Sequence, residues 1–244
     1  MNASAGAAGD GGMVSSESVI APFETDGKEW IIFPMQTTPL TYPKIDADRK
    51  TGDEPFTGVS AAPGLKLLDF WQWAASDLVS NAMRGVLAEY IVATALGLDT
   101  GIRTEWDAFD LLTTDGKRIE VKSGAYLQSW GHKELSKIIF GIRPTKGWDA
   151  STNTVSLDLK RQADIYVFCV LSHQVQDTMN PLDLDQWDFY VLGSRILNEK
   201  FPVQKTIGLS SLLKLNPVHV KYAGIAKAVS EPVVEAPAGP SRKG

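Results

Sequence analysis

The side chains best able to do chemistry in this sequence fall in one short stretch. From Phe109 to Ser123 the chain reads Phe-Asp-Leu-Leu-Thr-Thr-Asp-Gly-Lys-Arg-Ile-Glu-Val-Lys-Ser. Residues two apart on a strand share a face, so Glu120 and Lys122 project together while Ile119 and Val121 turn the other way. A carboxylate and an ammonium are thereby set side by side. The turn upstream decides which aspartate joins them. A three-residue loop Thr114-Asp115-Gly116, with Gly116 left-handed, puts Asp110 directly opposite Glu120, Cβ atoms about 5 Å apart. A two-residue Asp115-Gly116 turn slips the register by one and brings Asp107 to the Glu120 face instead. Both registers are open to this sequence. The first is favoured because a glycine in the last loop position suits the left-handed conformation.

Two carboxylates so placed repel, and each resists leaving water unless its charge is neutralised. Their convergence calls for a hard divalent cation, and oxygen ligands suit magnesium, with manganese as a substitute. Asp110 and Glu120 are the expected ligands, with the Val121 carbonyl as a third. A cation held there polarises a phosphate and acidifies a bound water, while Lys122 orients that water or balances transition-state charge. Taken alone, a strand reading Glu-Val-Lys is usually a solvated face with an ion pair, so its surroundings matter.

The elements that must position these groups begin with a helical pattern from Leu65 to Leu96, with Gly97 as its stop and Ser76 or Asp77 as the cap of a second helix within it. Glu89 interrupts the apolar run Val86-Leu87-Ala88-Glu89-Tyr90-Ile91. A charge among such neighbours needs an ion or a partner, Arg84 or Arg103 being the nearest in sequence. Strands are expected over Lys28–Phe33, Phe109–Thr113, Arg118–Ser123, Lys137–Arg143, Asp164–Leu171 and Phe189–Leu192, and short helices over Ser194–Glu199 and Ser210–Leu215. This order predicts an α/β domain, a central mixed β-sheet flanked by helices.

Composition sets the outer limits. Residues 19–228 are expected to form a single domain, its core at about 65–193, between disordered tails at 1–18 and 229–244, where small residues, proline and charge replace apolar periodicity. Cys169 is the single cysteine and lies in an apolar run, so neither a disulfide framework nor a cysteine zinc site is available. No segment has the length and apolarity of a membrane span, the first residues do not resemble a secretory signal, and a reducing, cytoplasmic setting is the default expectation. The net charge of -5 argues against a protein that coats nucleic acid by bulk electrostatics. A local basic patch is a different matter: Lys133, Lys137, Arg143, Lys146, Lys160 and Arg161 follow the Glu-Val-Lys strand.

The order of helix Glu89, strand Asp110 and strand Glu120-Val121-Lys122 resembles the PD-(D/E)xK superfamily of restriction-endonuclease-like nucleases, over roughly Asn81 to Leu171. The resemblance implies a restriction-endonuclease-like core and magnesium-dependent hydrolysis of DNA phosphodiester bonds. It makes Asp110 and Glu120 metal ligands, Lys122 the catalytic lysine and Glu89 an auxiliary acid. Phe109 stands where the family's motif has proline, a departure many members share. Gln128 is expected to contact substrate or the lysine unless it is a plain surface amide, and Arg143, Lys146 and Arg161 are candidates for DNA contact. His132 reads as a surface side chain, and Trp130 and Trp148 as packing residues before base-stacking ones. DNA is the expected partner, a homodimer is left open, and the rival reading is a catalytically idle nucleic-acid-binding or interaction protein on the same scaffold.

Overall fold

The computed structural model describes residues 24–25, 29–30, 45, 47–61, 63–103, 108–149 and 154–231. The chain divides into two compact units, residues 1–46 and 47–244. In the first, β1 (Glu24–Thr25) pairs antiparallel with β2 (Glu29–Trp30), which falls inside the strand expected over Lys28–Phe33. The expected tail at 1–18 lies outside the described residues, as does 232–244.

The second unit opens with α1 (Leu67–Ala75). The Asp69 carboxylate accepts the Lys66 N–H at its start, a side-chain acceptor for an otherwise orphan donor. The long helical pattern then breaks over residues 76–80. Asp77, an expected cap, instead turns its carboxylate back onto the N–H groups of Val79 and Ser80. The helix α2 (Asn81–Leu96) is capped by Ser80, whose Oγ accepts the Met83 N–H. Gly97 ends it in the left-handed conformation, φ 68°, as its position after the apolar repeat required. Along α2, Ala88, Ile91 and Val92 are buried, spacings of three and four that define one face.

Five strands form the central sheet in the order β11-β9-β8-β4-β3. They are β3 (Leu111–Leu112), β4 (Arg118–Ala125), β8 (Ile165–Leu171), β9 (Trp187–Gly193) and β11 (Val218–Val220). β4 and β8 run parallel and the other neighbours antiparallel, so the sheet is mixed. Every residue of β8 is buried, because apolar layers cover both of its faces. Ile165, Val167, Cys169 and Leu171 meet α2 and α5 (Ile225–Ser230), while Tyr166, Phe168 and Val170 meet Phe140, Leu197 and Leu212. The thiol of Cys169 is buried as the apolar run implied, and burial raises its pKa.

The second apolar layer comes from β5 (Ile139–Gly141), β10 (Thr206–Gly208), α3 (Ser194–Lys200) and α4 (Leu209–Leu213), with β5 and β10 paired antiparallel. β5 crosses close above β4. A Cβ at Gly124 would stand 2.9 Å from Ile138 Cγ2, so only glycine lets the two segments approach. β6 (Thr145–Asp149) and β7 (Thr154–Lys160) form a separate antiparallel pair. Sequence periodicity missed it, along with β10, β11 and α5.

Residue 229 is corrected by the structure. Expected to begin a tail, Val229 is 2% exposed on α5, and Ile225 and Ala228 pack beside it in the core. Among the described residues no helix is long and apolar enough to cross a membrane.

Candidate active site

The register of β3 on β4 settles the hairpin. Leu111 pairs with Ile119 and Leu112 with Arg118, leaving a three-residue loop of Thr114, Asp115 and Gly116. Gly116 has φ 85°, and its N–H donates to the Thr113 carbonyl. The strand pairing ends at Leu111, and next to it the Asp110 N–H donates to the Ile119 carbonyl at 2.9 Å, which brings Asp110 to the part of β4 that carries Glu120. Asp107, the alternative partner, lies outside the described residues.

β3 is only two residues long, so among the described residues no strand pairs with the outer edge of β4 beyond Ile119. The Asp110 side chain closes part of that edge: its Oδ2 accepts the Val121 N–H at 2.7 Å. The N–H and C=O of one strand residue point toward the same neighbour, so the Val121 carbonyl is directed to this edge as well.

Glu120 and Lys122 share the opposite face of β4 from Ile119 and Val121. They stand beside Tyr166 and Phe168 of β8 in the parallel register. The Lys122 ammonium pairs with the Glu120 carboxylate along the strand, both partly buried. Glu89 approaches from α2, and Arg103 grips it in a two-pronged ion pair, Nε to Oε2 and Nη2 to Oε1. Of the two arginines considered as partners for Glu89, Arg103 takes the role. Arg84, on the same helix, turns elsewhere.

The field in this cluster acts most visibly on Asp110. Its carboxyl is raised from an ordinary 3.8 to about 6, first by burial and then by the negative charges of Glu120 and Glu89, against which the Val121 N–H and Lys122 pull downward. The Tyr166 hydroxyl is also pushed up, by burial and then by Glu120. Glu89, Glu120 and Lys122 therefore all act on Asp110, across a helix and a sheet edge. A cleft of about 560 Å3 opens on the Glu89 and Asp110 side, lined also by Tyr90, Arg103 and Phe109, and Glu120 and Lys122 are not part of its lining.

Among the described residues, no group of three or more His, Cys, Asp or Glu side chains is placed to hold a metal ion. The donor set at the β4 edge is smaller: two carboxylates and a main-chain carbonyl. That set fits magnesium, which commonly takes one or two carboxylates and keeps several waters. A carboxyl raised to about 6 by burial, and then by a neighbouring carboxylate, is also a group that a cation would relieve.

The remaining candidates separate. Arg161 is 5% exposed and donates to the Ile142 and Phe201 carbonyls and to Asn198 Oδ1. It ties β7, β5 and α3 together and is not a DNA contact, a correction of the charge-based expectation. Arg143 and Lys146 are exposed. The amide of Gln128 does not reach the lysine. Its oxygen accepts from Arg84 and its nitrogen donates to the Ala125 carbonyl. His132 is exposed, its ring bonding within its own loop. Trp130 is half exposed, and the Trp148 side chain lies outside the described residues. Reading the sequence by charge named Arg103 among the partners of Glu89 but missed Arg84 as a buried cation, which only tertiary contacts reveal.

The class of protein in which these acids and this lysine sit comes from comparison with known families, which gives an endonuclease family. Residues 68–211, more than half of the chain, match the model of the bacteriophage T4 endonuclease IV family. The chain belongs to that family. The match spans α1 through most of α4 and includes every polar group of the site. No curated protein matches the chain.

Proposed function

We propose that this protein is a metal-dependent DNA endonuclease whose site is of the PD-(D/E)xK type, on a restriction-endonuclease-like core. The observation that carries this reading is the meeting of Asp110, Glu120 and Lys122 at the open edge of β4, inside the segment matched by an endonuclease family. Asp110 and Glu120, with the Val121 carbonyl, would hold magnesium or manganese. A cation bound there supplies Lewis-acid polarisation of the scissile phosphate and lowers the pKa of the attacking water.

The chain's own groups have separate tasks. Lys122, kept in place by Glu120, presents its ammonium to the phosphate oxygens or to the water, where charge builds as the phosphorus–oxygen bond to the leaving group breaks. Glu89, braced by Arg103, adds negative potential behind Asp110 and favours a cation at the shared edge. Tyr166 and Phe168 give Glu120 and Lys122 an apolar floor that limits water. Exposed Arg143 and Lys146 are candidates for phosphate contacts outside the site.

The test is incubation of the purified protein with supercoiled plasmid, linear duplex and single-stranded DNA, in magnesium, manganese or EDTA. Cleavage that needs the metal and is lost in Lys122→Ala supports the reading. Tight DNA binding without cleavage in either metal would favour the idle-scaffold alternative.

A further inference from the structure

A second polar cleft lies at the far end of the catalytic strand. It has a volume of about 380 Å3 and is lined by Asn81 and Arg84 of α2, Ser123 to Ala125 of β4, Gln128, Trp130 and residues 136–139. Its centre is Arg84, 4% exposed. An arginine has five N–H donors. Here Nη1 donates to the Val79 carbonyl at 2.9 Å and to Gln128 Oε1 at 3.2 Å, and Nη2 to Asn81 Oδ1 at 2.6 Å. Every one of those acceptors is neutral. Nε is buried with no acceptor among the described residues.

A buried cation answered only by neutral dipoles is costly, because desolvation is not offset by an opposite charge. Burial is the cause of the lowered pKa of Arg84, and no carboxylate counters it. Arg161 offers a comparison within the same chain. It too is buried, but its donors reach three main-chain carbonyls and an amide oxygen. Arg84 faces a polar cleft with Lys137 exposed at its rim and the Ser123 and Ser136 hydroxyls in its walls. The first turn of α2, which contributes Asn81 and Arg84, adds the positive end of a sixteen-residue helix. An anion with several acceptor oxygens complements such a cleft.

We propose that the Arg84 cleft is a phosphate site that seats a backbone phosphodiester of the DNA strand next to the one being cut. Its ligand's identity rests on the nuclease reading of the neighbouring carboxylates. The geometry links the two, since Ser123, Gly124 and Ala125 follow Lys122 directly on β4 and a strand advances about 3.3 Å per residue. A phosphate at Arg84 therefore lies within about 10 Å of the lysine along the strand. Gln128 and Asn81 are positioning residues: they hold the guanidinium toward the cleft.

The experiment has two arms on the full-length chain in EDTA. In the first, thermal melting is followed against inorganic phosphate, with sodium chloride at matched ionic strength as control. The wild type and Glu120→Gln should gain melting temperature with phosphate beyond chloride. Arg84→Met should lose that gain, and Lys137→Ala, an exposed substitution that leaves the core intact, should weaken phosphate binding at least threefold. In the second arm, a fluorescent single-stranded oligonucleotide is titrated at several salt concentrations. Lys137→Ala should flatten the slope of log Kd against log salt by about 0.7, the value of one single-strand phosphate contact. No phosphate-specific gain in the wild type, or an unchanged gain in both variants, overturns the site. A phosphate gain lost in the variants with an unchanged oligonucleotide slope also overturns it, by showing a free-anion pocket. Failure of the nuclease reading is a separate result, absence of cleavage by the wild type in magnesium and manganese.

Discussion

Replacing Asp110 by asparagine should make the metal-free protein more stable at neutral pH. The Asp110 carboxyl is raised from 3.8 to about 6 in the folded state, so folding disfavours its ionised form. Tenfold in proton affinity corresponds to about 1.4 kcal/mol, which gives an upper figure of about 3 kcal/mol. Because the side chain is only partly buried, solvent screening brings the expected effect to between about 1 and 3 kcal/mol. The sign follows from linkage: a carboxyl raised on folding costs stability above its folded pKa, and the cost disappears as pH falls through 6 and below 4. Asparagine keeps an oxygen to accept the Val121 N–H and never carries the charge. Urea melts in EDTA at pH 7.5 should therefore show Asp110→Asn ahead of the wild type, with the two converging at pH 4. Saturating magnesium at pH 7.5 should reverse the order, since the wild type alone gains the full binding energy. A difference between the two proteins that does not change with pH, or an asparagine variant weaker at pH 7.5 in EDTA, would refute the electrostatic account of this site.

Lys122→Ala and Glu120→Ala should each lower cleavage at least a hundredfold, the scale of losing one electrostatic catalyst, with circular dichroism unchanged. Magnesium at a hundred times its Kd should stabilise the wild type by about 2.7 kcal/mol, and Glu120→Ala should show little of that shift by calorimetry. Deleting Thr114 shortens the β3–β4 loop to two residues, so it should abolish the metal-dependent shift although no ligand is touched; retention of the shift would show that register does not control the site. Ending the chain at Gly224 removes Ile225, Ala228 and Val229 from the core and should destabilise it by several kcal/mol, whereas ending it at Glu231 should leave the melting temperature of the second unit unchanged.

The elements legible in the sequence were those whose cause is local. Gly116 announced the three-residue loop because a left-handed position there needs glycine, and Gly97 announced the end of α2 for the same reason. The apolar run of β8 was legible because burial on both faces leaves no polar alternation. The cap of α2 was misplaced since Ser76, Asp77 and Ser80 are all competent, and only the Asp77 turn decides among them. The end of α5 was read as tail because Val229 is followed at once by Ser230, Glu231 and Pro232, although Ile225, Ala228 and Val229 pack in the core. Charge was the least reliable guide. Arg161 and Arg84 have the composition of surface residues and are buried, held by partners up to 44 residues away in sequence.

The two neighbours of β4 differ greatly in how far the chain must travel to supply them. β3 reaches β4 through a three-residue loop, but Ile119 meets Ile165 in the parallel pair only after an excursion of 46 residues. The closure entropy of the longer loop is about 3 kcal/mol against about 1 for the shorter. In refolding, the hairpin that carries Asp110 and Glu120 therefore forms early, and the aromatic floor under Glu120 and Lys122 arrives with the slow, non-local step. The two carboxylates meet first in water, where their repulsion is weak, and feel the low dielectric only when β8 docks. On this order, the electrostatic cost of bringing the carboxylates together is met when β8 docks rather than when the hairpin closes.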